Sequence, residues 1–168
     1  MTNNKPICHC GKLRNMASVY IRKGDQILLL FRQGSSIVNN LWIGSAGGHF
    51  ENNELCDAKA CVLRELWEEM GLTENHLQNL SLRYVTIRYT EGELRQNYYF
   101  FADLSDSVND LPQSNEGIIR WYSLHEAEYL PMPFTARYMF DHYVSIGQYD
   151  AALYGGIASD TGVIFTKL

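Results

Sequence analysis

Three glutamates lie within five consecutive positions of the segment RELWEEMGL, residues 64–72: Glu65, Glu68 and Glu69. On a helix with 3.6 residues per turn their side chains lie within about 100° of one another, so the three carboxylates share one face. Like charges three or four residues apart repel each other and destabilise a helix by a few tenths of a kcal/mol per pair. The cluster must therefore be solvated at the surface or neutralised by a cation.

The other residues on this face favour a bound cation. A face that only confers solubility usually alternates in sign, but here Arg64 and Glu68 form the one favourable i,i+4 pair. Ala58 and Cys61 share the acidic face and are small, which leaves room for a ligand. Mg²⁺ prefers carboxylate oxygens, water and substrate phosphates. The pattern favours a site for Mg²⁺ or Mn²⁺, and a plain solvated face is the alternative.

The elements that must position these groups can be read from the surrounding sequence. A short strand over 41–44 leads into Ser45-Ala46-Gly47-Gly48, where adjacent glycines would let a ligand approach the backbone closely. A helix is predicted over 57–70, with Asp57 as its N-cap and Gly71 as its C-terminal stop. Its apolar positions predict a core stripe opposite the carboxylates: Val62, Leu63, Leu66, Trp67 and Met70.

The rest of the chain is predicted to form strands, one further helix and short turns. Strand patterns cover 16–22, 26–32, 80–90, 94–104 and 117–124. The pair around Glu91-Gly92-Glu93 predicts a long hairpin, and a terminal hairpin should turn at 160–162. A second helix is predicted over 133–147. We expect residues 1–14 to be a flexible arm and residues 15–168 to form one α/β domain.

Composition excludes several function classes. The 168 residues carry a formal net charge of −5, which argues against binding polymeric nucleic acid. No run of eighteen apolar residues predicts a membrane span, and the polar N-terminus lacks the apolar segment of a secretory signal, so a cytoplasmic location is expected. The expected partner is a small nucleotide; the sequence does not decide between a monomer and a homodimer.

The four cysteines add little to a functional hypothesis. Cys8-His9-Cys10 could be half of a zinc site, but a structural zinc site needs four ligands and the sequence has no second pair. Cys56 and Cys61 lie beside and within the predicted helix, where buried thiols are the simpler expectation.

The spacing of these groups resembles a known motif. Gly48, five residues, Glu54, and later the R-E-L-x-E-E-x-G-L pattern of residues 64–72 resemble the Nudix box of the MutT/Nudix hydrolases. The family pattern is G-x5-E-x7-R-E-U-x-E-E-x-G-U, where U is a bulky aliphatic residue. Nine residues separate Glu54 from Arg64 in this chain, two more than in the pattern. We interpret the difference as a lengthened loop before the helix, and the resemblance extends from about residue 15 to the C-terminus.

The resemblance implies a fold and an activity. The fold would be the Nudix fold, a mixed β-sheet sandwiched between α-helices, with a C-terminal helix and hairpin. The activity would be Mg²⁺-dependent hydrolysis of a nucleoside diphosphate linked to another moiety. An oxidised nucleoside triphosphate such as 8-oxo-dGTP, a dinucleoside compound or an ADP-ribose-like compound would suit. The alternative is a catalytically inactive Nudix-fold module that binds or senses a nucleotide.

The resemblance also implies roles for individual positions. Metal binding would fall to Glu65, Glu68, Glu69 and the carbonyl group of Gly47. Arg64 would orient the carboxylates, Glu54 would add to the acidic cluster, and Glu65, Glu68 or Glu116 would accept the proton of the attacking water.

The sequence indicates the substrate contacts less clearly than the metal ligands. His49 follows the glycines and could touch phosphate. Trp42 and Phe31, on earlier strands, could stack on a base, as could an aromatic residue of the hairpin, although core packing is the common role of strand aromatics.

Overall fold

The structure is a computed structural model that describes residues 11–33, 39–108, 110 and 112–168. The Cys8-His9-Cys10 segment lies outside the described residues. The strands are β1 Lys12–Lys23, β2 Gln26–Arg32, β3 Leu41–Ile43, β4 Ala46–His49, β5 Leu77–Thr90, β6 Glu93–Leu104, β7 Gly117–Ser123, β8 Tyr154–Ala158 and β9 Val163–Lys167. The α-helices are α1 Ala58–Met70, α2 Leu124–Ala127 and α3 Phe134–Ser145.

The strands form one mixed sheet that is covered on both faces. Its order is β3-β2-β1-β6-β5-β8-β9, with β4 paired to β1 and β7 paired to β2. The pairs β1–β6 and β5–β8 are parallel, and the others are antiparallel. Val19, Tyr20 and Ile21 are consecutive and all buried, because alternate side chains enter a core under α1 and a second core under α3. The expected α/β sandwich is confirmed.

Strand β1 changes its antiparallel partner near its centre, and this change creates the floor of the site. Its last residues pair with β2, whereas Met16 to Val19 pair with β4. A Cβ atom on Gly47 would lie 2.4 Å from the carbonyl oxygen of Ala17. Only glycine therefore permits β4 to lie this close to β1. The segment 46–49 is thus a strand of its own.

Helix α1 has the predicted bounds but a different orientation. The Asp57 side chain accepts a hydrogen bond from the Ala60 amide at 2.9 Å, and Gly71 ends the helix in the left-handed conformation with φ 66°. The prediction that Trp67 packs in the core is wrong, since this residue is 59% exposed. Cys61 and Glu69 are buried instead. The glycines of β4 have no side chains, so the acidic face of α1 can pack closely against this strand. The helix is therefore rotated about its axis so that its carboxylates turn toward the sheet.

Other differences are local. Strand β1 begins at Lys12, so the end of the predicted arm pairs with β6. Helix α3 stops at Ser145 and is followed by a short 3₁₀ turn over Gly147–Tyr149. Cys56, expected to be buried, is exposed, because it precedes the helix in a turn. Both predicted hairpins are confirmed. No helix among the described residues has the length and apolar character needed to cross a membrane.

Candidate active site

An open cavity of about 420 Å³ lies between β4, the exposed edge of α1 and the residue that precedes β7. Four carboxylates, Glu51, Glu65, Glu69 and Glu116, line it together with Gly47 and Gly48. Arginines complete the wall: Arg14, Arg32 and Arg64. Folding therefore joins the two carboxylates of the helix to Glu116, which is 47 residues away from Glu69 in the sequence.

Arg64 holds the acidic residues in place. Its Nη1 donates to Glu65 Oε1 at 2.8 Å and to Glu68 Oε2 at 3.0 Å. Its Nη2 donates to the backbone carbonyl of His49 at 3.0 Å, which ties the helix to the end of β4. Because these bonds are charge-assisted, they fix the carboxylates more firmly than neutral hydrogen bonds would.

Glu54 is a structural partner of Arg64. Its two oxygens accept from Arg64 Nε at 2.7 Å and Nη2 at 3.0 Å, and the Glu51 amide donates to Glu54 Oε2 at 2.9 Å. The hydrogen bond with Arg64 lowers the pKa of Glu54 to about 2. Glu54 is only 3% exposed, so its charge depends on this cation. The two additional residues before the helix leave this pairing intact.

Glu69 is the carboxylate whose environment is most perturbed. It is 8% exposed, and its Oε2 accepts a hydrogen bond from the Gly47 amide at 3.0 Å. Burial raises the pKa of Glu69 to about 7; the hydrogen bond from Gly47 opposes this rise, and the nearby charges of Glu65 and Glu116 add to it. Burial also raises the pKa of Glu65. These carboxylates together carry more negative charge than the described residues around them neutralise.

Glu116 reaches the cavity because the segment before β7 is pinned to the end of α1. The amide of Asn115 donates to the Glu69 carbonyl at 3.1 Å, and its side-chain nitrogen donates to the Glu68 carbonyl at 3.0 Å. Glu116 Oε2 then pairs with Arg32 Nη2 at 2.7 Å. The further glutamate expected from the sequence therefore lies beside the helix carboxylates.

The remaining predicted metal ligand, Glu68, lies at the rim. Its side chain is 54% exposed and pairs with Arg64. Within the described parts of the chain, no three His, Cys, Asp or Glu side chains are arranged to hold a metal ion. The geometry explains this, since Arg64 and the Gly47 amide engage the carboxylate oxygens individually.

The predicted substrate contacts divide into two groups. His49 lines the cavity, and its Nε2 accepts from Arg14 Nε at 2.6 Å; burial first, and then the charge of Arg14, lower its pKa. Trp42 is only 8% exposed and packs in the core under α3 between Phe31 and Tyr122, with ring centroids 5.0 and 4.9 Å away. Neither Trp42 nor Phe31 lines this cavity.

Sequence reasoning missed Arg14 and Arg32, which both line the cavity. Neither belongs to a recognisable motif. Arg32 is the last residue of β2 and pairs in register with Gly117, which directly follows Glu116. Only the strand register, which is a tertiary property, brings Arg32 and Glu116 together.

Gly48→Ala tests whether the position of Glu65 matters. A Cβ atom at residue 48 would lie 2.2 Å from Glu65 Oε1, so the flexible carboxylate should move away while the backbone stays in place. We expect kcat of the hydrolysis that the Nudix resemblance implies to fall about 10-fold or more. The free energy of unfolding should decrease by less than about 1 kcal/mol. Steady-state kinetics and chemical denaturation measure the two effects.

Gly155→Ala is the matched control. A Cβ atom there would meet only the end of the Leu168 side chain, at 3.3 Å, far from the site in the terminal hairpin. Unchanged kcat in Gly48→Ala would show that the position of Glu65 is unimportant for turnover.

The chain is similar to known proteins over most of its length. A family model described as NUDIX domain matches residues 12–143. The chain is similar to the structure of the MutT protein from Bacillus halodurans, with 24% identity, a TM-score of 0.65, and coverage of 92% of this chain and 97% of that one. It is also similar to an Ap4A hydrolase from C. elegans, with 17% identity, a TM-score of 0.63, and coverage of 82% and 99%. No curated protein matches the sequence.

Proposed function

Because the chain belongs to the NUDIX domain family, we propose that it is a divalent-metal-dependent pyrophosphohydrolase that cleaves a nucleoside diphosphate linked to another group. The observation that carries the proposal is the cavity in which Glu65, Glu69 and Glu116 meet beside the β4 glycines. A phosphoric anhydride repels nucleophiles through its own oxygens, so a catalyst must supply positive charge at this point.

The carboxylates suit Mg²⁺ or Mn²⁺ in their chemistry. All the side-chain donors are carboxylate oxygens, which hard cations prefer. The raised pKa of Glu69 arises from burial first and from repulsion by Glu65 and Glu116 second, and a bound cation would stabilise the charged carboxylate against both. We assign metal binding to Glu65, Glu68, Glu69 and the carbonyl group of Gly47. The bound cation would neutralise the diphosphate and lower the pKa of a water molecule.

The residues of this chain have distinct tasks in the proposal. Arg64, which Glu54 holds in place, orients the carboxylates of the cluster. Arg32 lies on the substrate side of the cavity and would contact oxygens of the diphosphate. Glu65 or Glu116 would accept the proton of the attacking water, since both line the cavity. His49 would position phosphate through its neutral ring.

The direct test is a panel of nucleotides incubated with Mg²⁺, Mn²⁺ or a chelator. The panel should include an oxidised nucleoside triphosphate, a dinucleoside polyphosphate and ADP-ribose, with released phosphate, pyrophosphate and nucleotide measured. We expect metal-dependent turnover of at least one compound and none with chelator. Tight nucleotide binding without hydrolysis across the panel would instead favour a sensing module and would contradict the proposal.

A further inference from the structure

A second cavity, of about 330 Å³, continues from the first and has the opposite charge. The two cavities share Arg14, Arg32, Met16 and Gly47. The second lies between the sheet and the start of α3, where Tyr20, Tyr99 and Phe134 contribute apolar surface. Arg88 and Arg95 join Arg14 and Arg32 in its wall, and none of the described residues that line it carries a carboxylate.

Three of these arginines are direct neighbours across the sheet. Arg14 on β1 is in register with Arg95 on β6, and Arg95 is in register with Arg88 on β5. Side chains at paired positions have their Cβ atoms about 5 Å apart, and like charges placed opposite each other destabilise a sheet. The chain thus retains a row of three cations at a cost in stability. We call Arg14, Arg95 and Arg88 the arginine row.

The local carboxylates compensate the arginine row only in part. Glu93 pairs with Arg95 Nε at 3.1 Å and with Arg14 Nη1 at 3.7 Å, so one carboxylate serves two cations. Glu91 lies 3.5 Å from Arg95 but is 83% exposed, where an ion pair contributes little. Arg88 has no ion pair with any residue that the structure describes; its guanidinium lies 4.2 Å above the Phe134 ring.

We propose that the arginine row binds a phosphate group of the substrate that is distinct from the diphosphate at the carboxylates. The inference rests on the proposed function and narrows its substrate class. Ser18 is in register with Gly47, and Arg14 lies four residues earlier on β1, about 13 Å along the strand. A compound with one diphosphate and a neutral sugar would leave the arginine row without an anion. A nucleotide with a further phosphate would place charge at both ends of the joined cavities.

The first experiment separates this inference from the proposed activity. Inorganic tripolyphosphate is titrated calorimetrically into the metal-free protein, in which the carboxylates repel anions and no hydrolysis is required. We expect Arg88→Gln to weaken binding about 10-fold or more, the effect of losing a charge-assisted hydrogen bond. Arg120→Gln, a change at an exposed arginine on β7, is the control and should bind as the unaltered protein does. Equal affinity for Arg88→Gln and the unaltered protein would overturn the proposal.

Kinetics then identify the source of the phosphate. The KM of a dinucleoside tetraphosphate and that of a nucleoside diphosphate derivative carrying a 3′-phosphate are compared with the KM of ADP-ribose. We expect Arg88→Gln to raise KM about 10-fold for one of the first two and by less than about 2-fold for ADP-ribose. The compound affected shows whether the phosphate belongs to the polyphosphate chain or to the nucleoside. An equal rise for all three would show that Arg88 supports the fold of the cavity generally and would refute the assignment.

Discussion

Glu69→Gln is expected to lower kcat by about 10³-fold and to stabilise the metal-free protein at the same time. Glutamine retains the shape of the side chain and an oxygen that can accept the Gly47 amide. It lacks the charge that the proposed metal site needs, and loss of several kcal/mol of transition-state stabilisation corresponds to such a decrease. Removing a buried carboxylate also removes the cost of burying its charge, together with the smaller repulsion from Glu65 and Glu116, on the order of 2 kcal/mol in all.

The pH dependence distinguishes this explanation from a general loss of structure. Because folding raises the pKa of Glu69 to about 7, its contribution to stability is full below about pH 4.5 and is lost as the pH rises through 7. In chelator, the unfolding temperature of the unaltered protein should therefore fall across this range, and that of Glu69→Gln should fall less. Adding Mg²⁺ should raise the unfolding temperature of the unaltered protein but not that of Glu69→Gln.

Glu74→Gln is the matched control for this experiment. Glu74 lies outside the cavity, and its ion pair with Lys59 is about half exposed. Its replacement should change neither kcat nor the response to Mg²⁺. Full turnover in Glu69→Gln, measured with the substrate found in the nucleotide panel, would refute the assigned site.

Arg64→Gln is expected to reduce the free energy of unfolding by about 3 kcal/mol at pH 7, since it leaves the buried Glu54 without its cation. Glu65 and Glu68 would lose the same partner, so kcat should fall as well. Denaturant unfolding and steady-state kinetics measure the two losses. The double variant Glu54→Gln/Arg64→Gln should recover part of the stability but not the activity.

The effect of pH on the stability contribution of Glu54 has the opposite sign to that of Glu69. Folding lowers the pKa of Glu54 to about 2, so its ion pair contributes fully above about pH 4.5 and is lost as the pH falls toward 2. The stability difference between the unaltered protein and Arg64→Gln should therefore shrink on acidification. Arg120→Gln should show no such difference at any pH, and a pH-independent loss in Arg64→Gln would contradict the role given to Glu54.

Local signals explain which parts of the fold could be predicted. Helix α1 was bounded correctly because Asp57 caps its first turn and Gly71 ends it. The β5–β6 hairpin was predicted because Glu91-Gly92 forms its turn, and both residues adopt positive φ. The predicted arm includes residues 12–14 because two of the three, Lys12 and Arg14, are charged, and their pairing with β6 depends on a strand about 80 positions later.

The rotation of α1 could not be predicted, because it depends on what lies beneath the helix. A hydrophobic stripe alone predicts that Trp67 faces the core and that the carboxylates face water. Glycines 47 and 48 provide a surface without side chains, so the helix instead brings Glu69 against β4. Trp42 and Phe31, suggested for stacking, do not line the acidic cavity for a related reason: both faces of the sheet are covered, and Trp42 packs inside.

The sequence by itself determined the family, the acidic helix and the identity of most charged groups in the site, because spacing along one helix is a local property. Tertiary structure alone decided that Arg64 holds Glu54, that Glu116 meets Arg32, and that three arginines form a row beside the acidic cavity. These contacts join residues on different elements. They arise from strand register and close helix–sheet packing, which no single segment of the chain encodes.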